Sequence, residues 1–177
     1  HVASVASFFV SRIDALVDPL LQRAVERGGR QGELATILRG QVAIASAKVA
    51  YRIFEEVFSA DRFERLAGQG ARAQRVLWAS TSTKNPAYDD LLYVTPLIGP
   101  QTINTMPDVT LAAFRNHGQA ADAIAQDLPI ARATIEAVER LGIGHEATGT
   151  QLQQQGVKLF DEAFTALGDF SYGSQNW

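Results

Sequence analysis

The chain has no cysteine, so neither a disulfide framework nor a thiolate metal site is possible, which fits a reducing compartment and makes the cytoplasm the expected location. It has one methionine, Met106, and only three lysines, Lys48, Lys84 and Lys158, so an amine nucleophile has few places to sit. No apolar run approaches the roughly 18 residues that cross a bilayer, and no basic segment leading into an apolar core opens the chain, so no membrane partner is expected. Sixteen Lys and Arg stand against nineteen Asp and Glu, a net charge of -3, with no basic run dense enough to follow a nucleic-acid backbone. Nucleic acid is therefore not an expected partner. Repeats and low-complexity stretches are also lacking.

What is there is 177 residues, 46% of them hydrophobic, enough for one sizeable core in one domain or in part of a larger one. Val2 to Val10 reads as a first strand buried on both faces. A chain that opens at His1 inside such a strand suggests a fragment. Leu16, Val17, Leu20, Leu21 and Val25 follow with helical spacing, ended by Gly28 and Gly29. From Glu33 to Phe58 a broad apolar stripe predicts the longest helix, with Gly40 as a point where it loosens. Asp61 to Leu66 is a brief helix closed by Gly68-Gln69-Gly70. Arg75 to Ala79 is a second strand, and Leu91 to Val94, between Pro86 and Pro96, reads as a third. Gly99-Pro100 and Met106-Pro107 bracket a loop. Asp108 is placed to cap a helix reaching Asn116, with helix onward to about Leu167.

Strands separated by helices, with continuous rather than alternating apolar patterning, predict an α/β fold of βα units with a parallel sheet. Three strands leave two open edges, so neighbouring strands are expected outside the chain. A (β/α)8 TIM barrel takes about 250 residues and carries its functional groups where strands hand over to loops. The expected architecture is the C-terminal part of such a barrel, rich in helix, over residues 1–170, with 171–177 as a tail. In that frame the strand ends bring Ser11 and Arg12 to one rim with Ser80, Thr81, Ser82, Thr83, Lys84 and Asn85. Hydroxyls and amides donate hydrogen bonds, arginine offers a planar fork and lysine a point charge, which together describe a phosphate pocket. On composition alone, Ser80 to Asn85 is equally a polar turn ahead of Pro86.

The string Trp78-Ala79-Ser80-Thr81-Ser82-Thr83-Lys84-Asn85-Pro86-Ala87-Tyr88, continued by Leu92-Tyr93-Val94, Gly99-Pro100 and Thr102-Ile103-Asn104-Thr105-Met106-Pro107, resembles the transaldolase family of bacteria and plants. Val5 to Asp14 is similar to that family's sixth-strand segment, and Gly156-Val157-Lys158-Leu159-Phe160 to its final helix. The resemblance implies a (β/α)8 barrel that transfers a dihydroxyacetone unit between sugar phosphates through a lysine Schiff base, without cofactor or metal. The expected partners are sedoheptulose 7-phosphate, fructose 6-phosphate, glyceraldehyde 3-phosphate and erythrose 4-phosphate. Arg12 and Ser80 match the family's phosphate-binding arginine and serine, and Lys84 stands where related branches carry a basic residue. Ser11, Thr83 and Asn85 are further candidates for the rim.

Ser82 departs from the glycine of many relatives. The family's Schiff-base lysine and proton-shuttling carboxylates fall on earlier strands that would precede His1. Hence no catalytic residue is assigned in this chain, and the N-terminal half of the barrel, in the same or a separate chain, is an expected partner without which the enzyme is inactive. Lys48 and Lys158 are expected to be solvated or snorkelling. His117 is expected near a helix end and His145 in a loop, neither at metal spacing. Asp89 and Asp90 read as a solvated turn, and Trp78, Phe8 and Phe9 as core filling. Two other function classes fit the same residues: a non-catalytic helical interaction or regulatory remnant, and a phosphosugar isomerase using the same rim.

Overall fold

The computed structural model describes residues 2–173, with side chains through Leu167. Three parallel strands, β1 (Val5–Phe9), β2 (Arg75–Ala79) and β3 (Thr102–Asn104), lie side by side in chain order. Val5 pairs with Arg75 and Phe9 with Ala79, while Val76 pairs with Thr102 and Trp78 with Asn104. Among the described residues seven helices accompany this sheet: α1 (Val10–Arg27), α2 (Gly29–Leu38), α3 (Val42–Phe58), α4 (Asp61–Ala67), α5 (Asp108–His117), α6 (Leu128–Arg140) and α7 (His145–Gly173). The helix-rich α/β arrangement is that expected for part of a TIM barrel, with consecutive strands adjacent and the chain crossing back between them.

Strand β1 passes into α1 with no intervening residue. Along α1, Val10, Ile13, Val17, Leu21 and Ala24 recur at helical spacing and are buried. The helix stops at Gly28, whose φ of 73° is left-handed backbone that glycine adopts without a Cβ penalty. The stripe from Glu33 to Phe58 is two helices, α2 and α3, broken at Gly40, where φ is 70°. The longest helix is instead α7. Core side chains come from α1, α2, α3, β2 and α6, with Trp78 at its centre, edge-on to Phe8 and donating its indole N–H to the Leu97 carbonyl at 2.9 Å.

Several expectations need correction. Leu91 to Val94 is not a strand; it is a turn leading into a single 3-10 turn at Thr95–Leu97. Leu91, Tyr93 and Val94 are buried nonetheless, and burial, not extended pairing, explains their apolar character. The third strand is the short Thr102–Asn104, inside the segment expected to be loop. Strand β1 is not buried on both faces: Val5 and Phe9 are 38% and 37% exposed, as an edge strand permits. Asp108 lies in the first turn of α5, and Pro107, which makes no side-chain cap, precedes it. Helix is interrupted between His117 and Leu128. Of the expected tail, 171–173 continue α7, and 174–177 lie outside the described residues.

Candidate functional site: a polar rim where β1 and β2 end

The first turn of α1 meets the end of β2 through two contacts. The Ser11 N–H donates to the Ser80 carbonyl at 3.1 Å, and the two hydroxyl oxygens lie 2.9 Å apart. Ser80 has a φ of 55°, left-handed backbone that a non-glycine residue holds only when its surroundings fix it. The next residue supplies that fixing. Thr81 is fully buried and donates its hydroxyl to Oδ1 of Asn104 at 2.8 Å, while the Thr105 N–H donates to the Trp78 carbonyl at 3.0 Å. The loop thus leaves the sheet pinned on one side to α1 and on the other to the end of β3.

Two cations flank this point. Arg12 follows Ser11, is half-buried, and lies with its guanidinium 5.1 Å from the centroid of the Phe9 ring, a cation–π distance. Lys84 is exposed and donates to the Ser82 hydroxyl at 2.8 Å. Neither makes an ion pair with a carboxylate among the described residues. The first turn of α1 holds no acidic residue, so its positive dipole end meets no negative side chain from that turn. Chemically, the arrangement suits an oxyanion of high charge.

Ser11 and Ser80 are the expected rim residues that the structure brings into direct contact. Arg12 and Lys84 share the neighbourhood through sequence adjacency, with no hydrogen bond to either serine. Thr83 is half-buried in the same loop. Asn85 is engaged locally: its Oδ1 accepts the Ala87 N–H at 3.0 Å and its carbonyl the Tyr88 N–H at 3.1 Å, which is the behaviour of a turn-forming asparagine.

Sequence reasoning missed a set of buried polar groups behind the rim. Asp14 accepts the Tyr93 hydroxyl at 2.9 Å and the Ala43 N–H at 2.8 Å. Asp18, one turn further along α1, accepts the Tyr88 hydroxyl at 2.7 Å and the Gly40 N–H at 3.0 Å. Burial pushes the Asp14 carboxyl up to about 7, with the Asp18 charge adding to the shift and the bonds from Ala43 and Tyr93 opposing it. Burial and the neighbouring aspartates also raise both tyrosines, Tyr88 to about 12. The signal available in the sequence was two aspartates four residues apart on an apolar helix face.

Lys48 and His145 lie elsewhere than expected, whereas His117 lies near a helix end as expected. Lys48 does not snorkel: it is buried on α3 and donates to the carbonyls of Ala123 and Gln126 at 2.9 and 2.8 Å. Burial lowers its pKa, and Asp127 opposes that shift. His117, at the end of α5, pairs through Nε2 with Asp90 at 3.0 Å. His145 begins α7 rather than sitting in a loop. Lys158 is exposed beside Glu162, as expected. Among the described residues no His, Asp and Glu cluster is arranged to hold a metal ion, and no helix is long and apolar enough to cross a membrane. A cleft of about 1090 Å³ opens between β1, α1, α3 and α7, lined by Phe9, Ile53, Leu152 and Phe160 with Arg12 at its wall. Its apolar lining suits side chains better than a sugar phosphate.

Comparison with known proteins accords with this geometry. The family model for transaldolase/fructose-6-phosphate aldolase matches residues 1–170. The chain is 46% identical over 164 residues to a transaldolase of Thiobacillus denitrificans, covering 93% of this chain and 44% of that protein. It is 46% identical over 167 residues to transaldolase 1 of Streptomyces coelicolor, covering 94% of this chain and 42% of that protein. A transaldolase of Neisseria gonorrhoeae is 44% identical over 167 residues, with 94% and 44% covered. The chain belongs to the transaldolase/fructose-6-phosphate aldolase family, and it spans less than half the length of these curated relatives.

Proposed function

We propose that this chain is the C-terminal part of a cytoplasmic transaldolase and supplies the rim that holds the substrate's phosphate. The observation that carries the reading is the contact of Ser11 and Ser80 at the start of α1, with Arg12 next in the chain and no acidic residue in that helix's first turn. In this reading the Arg12 guanidinium forks two phosphate oxygens, the Ser80 hydroxyl donates to a third, and Lys84 exchanges Ser82 for the ligand. Ser11, Thr83 and the loop up to Asn85 complete the cradle. The substrates are the family's sugar phosphates: sedoheptulose 7-phosphate and fructose 6-phosphate as donors, erythrose 4-phosphate and glyceraldehyde 3-phosphate as acceptors.

The covalent step belongs to a lysine on a preceding part of the barrel. Its amine adds to the ketose carbonyl and water is lost. Cleavage of the C3–C4 bond of that Schiff base releases the donor's remainder as an aldehyde and leaves the dihydroxyacetone unit on the lysine as an enamine. Its carbon forms the new C–C bond to the acceptor aldehyde, and water returns the product ketose and the free amine. None of the three lysines here is placed for that role: Lys48 is bound to two carbonyls, Lys84 lies on the rim loop, and Lys158 is exposed on α7. Borohydride trapping with fructose 6-phosphate tests the assignment. The expected result is no adduct on this 177-residue chain alone and an adduct on the preceding part when the two are combined. A covalent adduct on Lys48, Lys84 or Lys158 overturns it.

A further inference from the structure

The loop that begins at Ser80 is fastened to α1 at both of its ends. At the near end, Ser80 bonds Ser11 through backbone and hydroxyl. At the far end, Tyr88 donates its hydroxyl to Asp18, and Tyr93, five residues on, donates to Asp14. The residues between the two fastenings include Ser82, Thr83, Lys84 and Asn85. We propose that Asp14 and Asp18, acting through Tyr93 and Tyr88, are positioning residues that set the distance between the Arg12-bearing helix and the Lys84-bearing loop. This rests on the phosphate-rim reading above.

Helix geometry supports the assignment. Asp14 lies two residues past Arg12, roughly 200° around the helix, so pinning the aspartate's face turns Arg12 to the opposite side. There Arg12 is found, over Phe9 and along the cleft beside β1. Each carboxylate divides its two oxygens between one tyrosine and one backbone N–H, Asp18 taking that of Gly40 in the turn between α2 and α3 and Asp14 that of Ala43 in the first turn of α3. That turn packs closely on Tyr88: a Cβ on Gly40 would lie 3.0 Å from the tyrosine ring, at a φ of 70° that disfavours a side chain. The far fastening thus ties α1, the α2–α3 turn and the loop's exit into one unit, with neither tyrosine reaching the rim itself.

The test compares fructose 6-phosphate with unphosphorylated fructose as donor, in the complete enzyme containing this chain. Tyr88→Phe and Tyr93→Phe each remove one hydroxyl and keep the ring. Each is expected to lower the ratio of kcat/KM for the phosphorylated over the plain sugar by about fivefold or more, the scale of a lost hydrogen bond. A tyrosine that serves stability alone would lower both substrates together and leave that ratio unchanged, and this result overturns the proposal. Tyr88→Phe carries the test if the more deeply buried Tyr93→Phe does not fold. Arg12→Ala and Ser80→Ala separate the two claims. If they lower the ratio and the tyrosine variants do not, only the fastening is wrong; if they leave it unchanged, the phosphate rim is wrong and the fastening falls with it.

Discussion

At Asp14, burial and ionisation oppose each other. The carboxyl is 1% exposed and its pKa is raised from 3.8 to about 7. A raised carboxyl binds its proton more tightly when folded, so its contribution to stability is fully present below about pH 4 and is lost as pH rises towards 7. The slope assignable to this one group approaches about 1.4 kcal/mol per pH unit between those limits. Urea titrations from pH 5 to 8 are expected to show stability falling with pH in the unmodified chain, and the fall to be smaller by that slope in Asp14→Asn. An equal slope in both would remove Asp14 as its source. Ser80 offers a second comparison. On the phosphate rim proposed above, Ser80→Gly and Ser80→Ala both delete the hydroxyl and should raise the complete enzyme's KM for a sugar phosphate alike. Alanine, however, holds a φ of 55° at a cost of about 1 kcal/mol that glycine avoids, so the glycine variant should have the higher unfolding midpoint.

Among the elements, the segment from Gly118 to Asp127 depends on clamps from outside itself. Lys48 on α3 donates to two of its carbonyls, and Ala123 and Ile124 donate their N–H groups to the Ile98 carbonyl. Lys48→Met keeps much of the stem and strands both carbonyls. The expected loss is about 1 to 3 kcal/mol by urea unfolding, against nearly none if these carbonyls rehydrate freely. Ile124 packs so closely on Gly99 that a Cβ there would overlap its side chain. Gly99→Ala should therefore destabilise by about 1 to 3 kcal/mol, and combined with Ile124→Ala it should cost less than the sum of the two single changes.

These clamps also show where the sequence was readable. Helices α1 and α4 and strand β2 follow from periodicity and glycine stops, because local spacing decides them. Strand β3 did not, since three residues of mixed polarity carry no pattern of their own and become a strand only by pairing with Val76, Leu77 and Trp78. Leu91 to Val94 misled for the converse reason, as an apolar run records burial without recording its backbone. The rim residues were visible through a resemblance. The aspartates, tyrosines and Lys48 behind them were not, because a buried polar group announces itself only when its distant partner is known. Lys48 and Ala123, for example, lie 75 residues apart in the chain.

For the whole molecule, the dominant fact is open surface. The outer edge of β1, Phe9, and the α7 side chains Val157, Phe160, Phe164 and Leu167 are exposed apolar groups gathered around one cleft. Covering them with the preceding part of a barrel, as the proposed function requires, should raise the melting temperature of this chain in a concentration-dependent way. Differential scanning fluorimetry of the chain with and without that part measures it. No shift at any concentration would count against a shared barrel.

The strand order also bears on how the molecule comes into being. Helices α1 to α4 lie wholly between β1 and β2, so their turns can form before the sheet does. Pairing Val5 with Arg75 must then close a long loop, a contact that is costly in entropy. Ser11 and Ser80 lie 69 residues apart and touch only across that closure. The rim thus exists only in molecules whose sheet has closed, and an anion held there would select them from chains in which it has not.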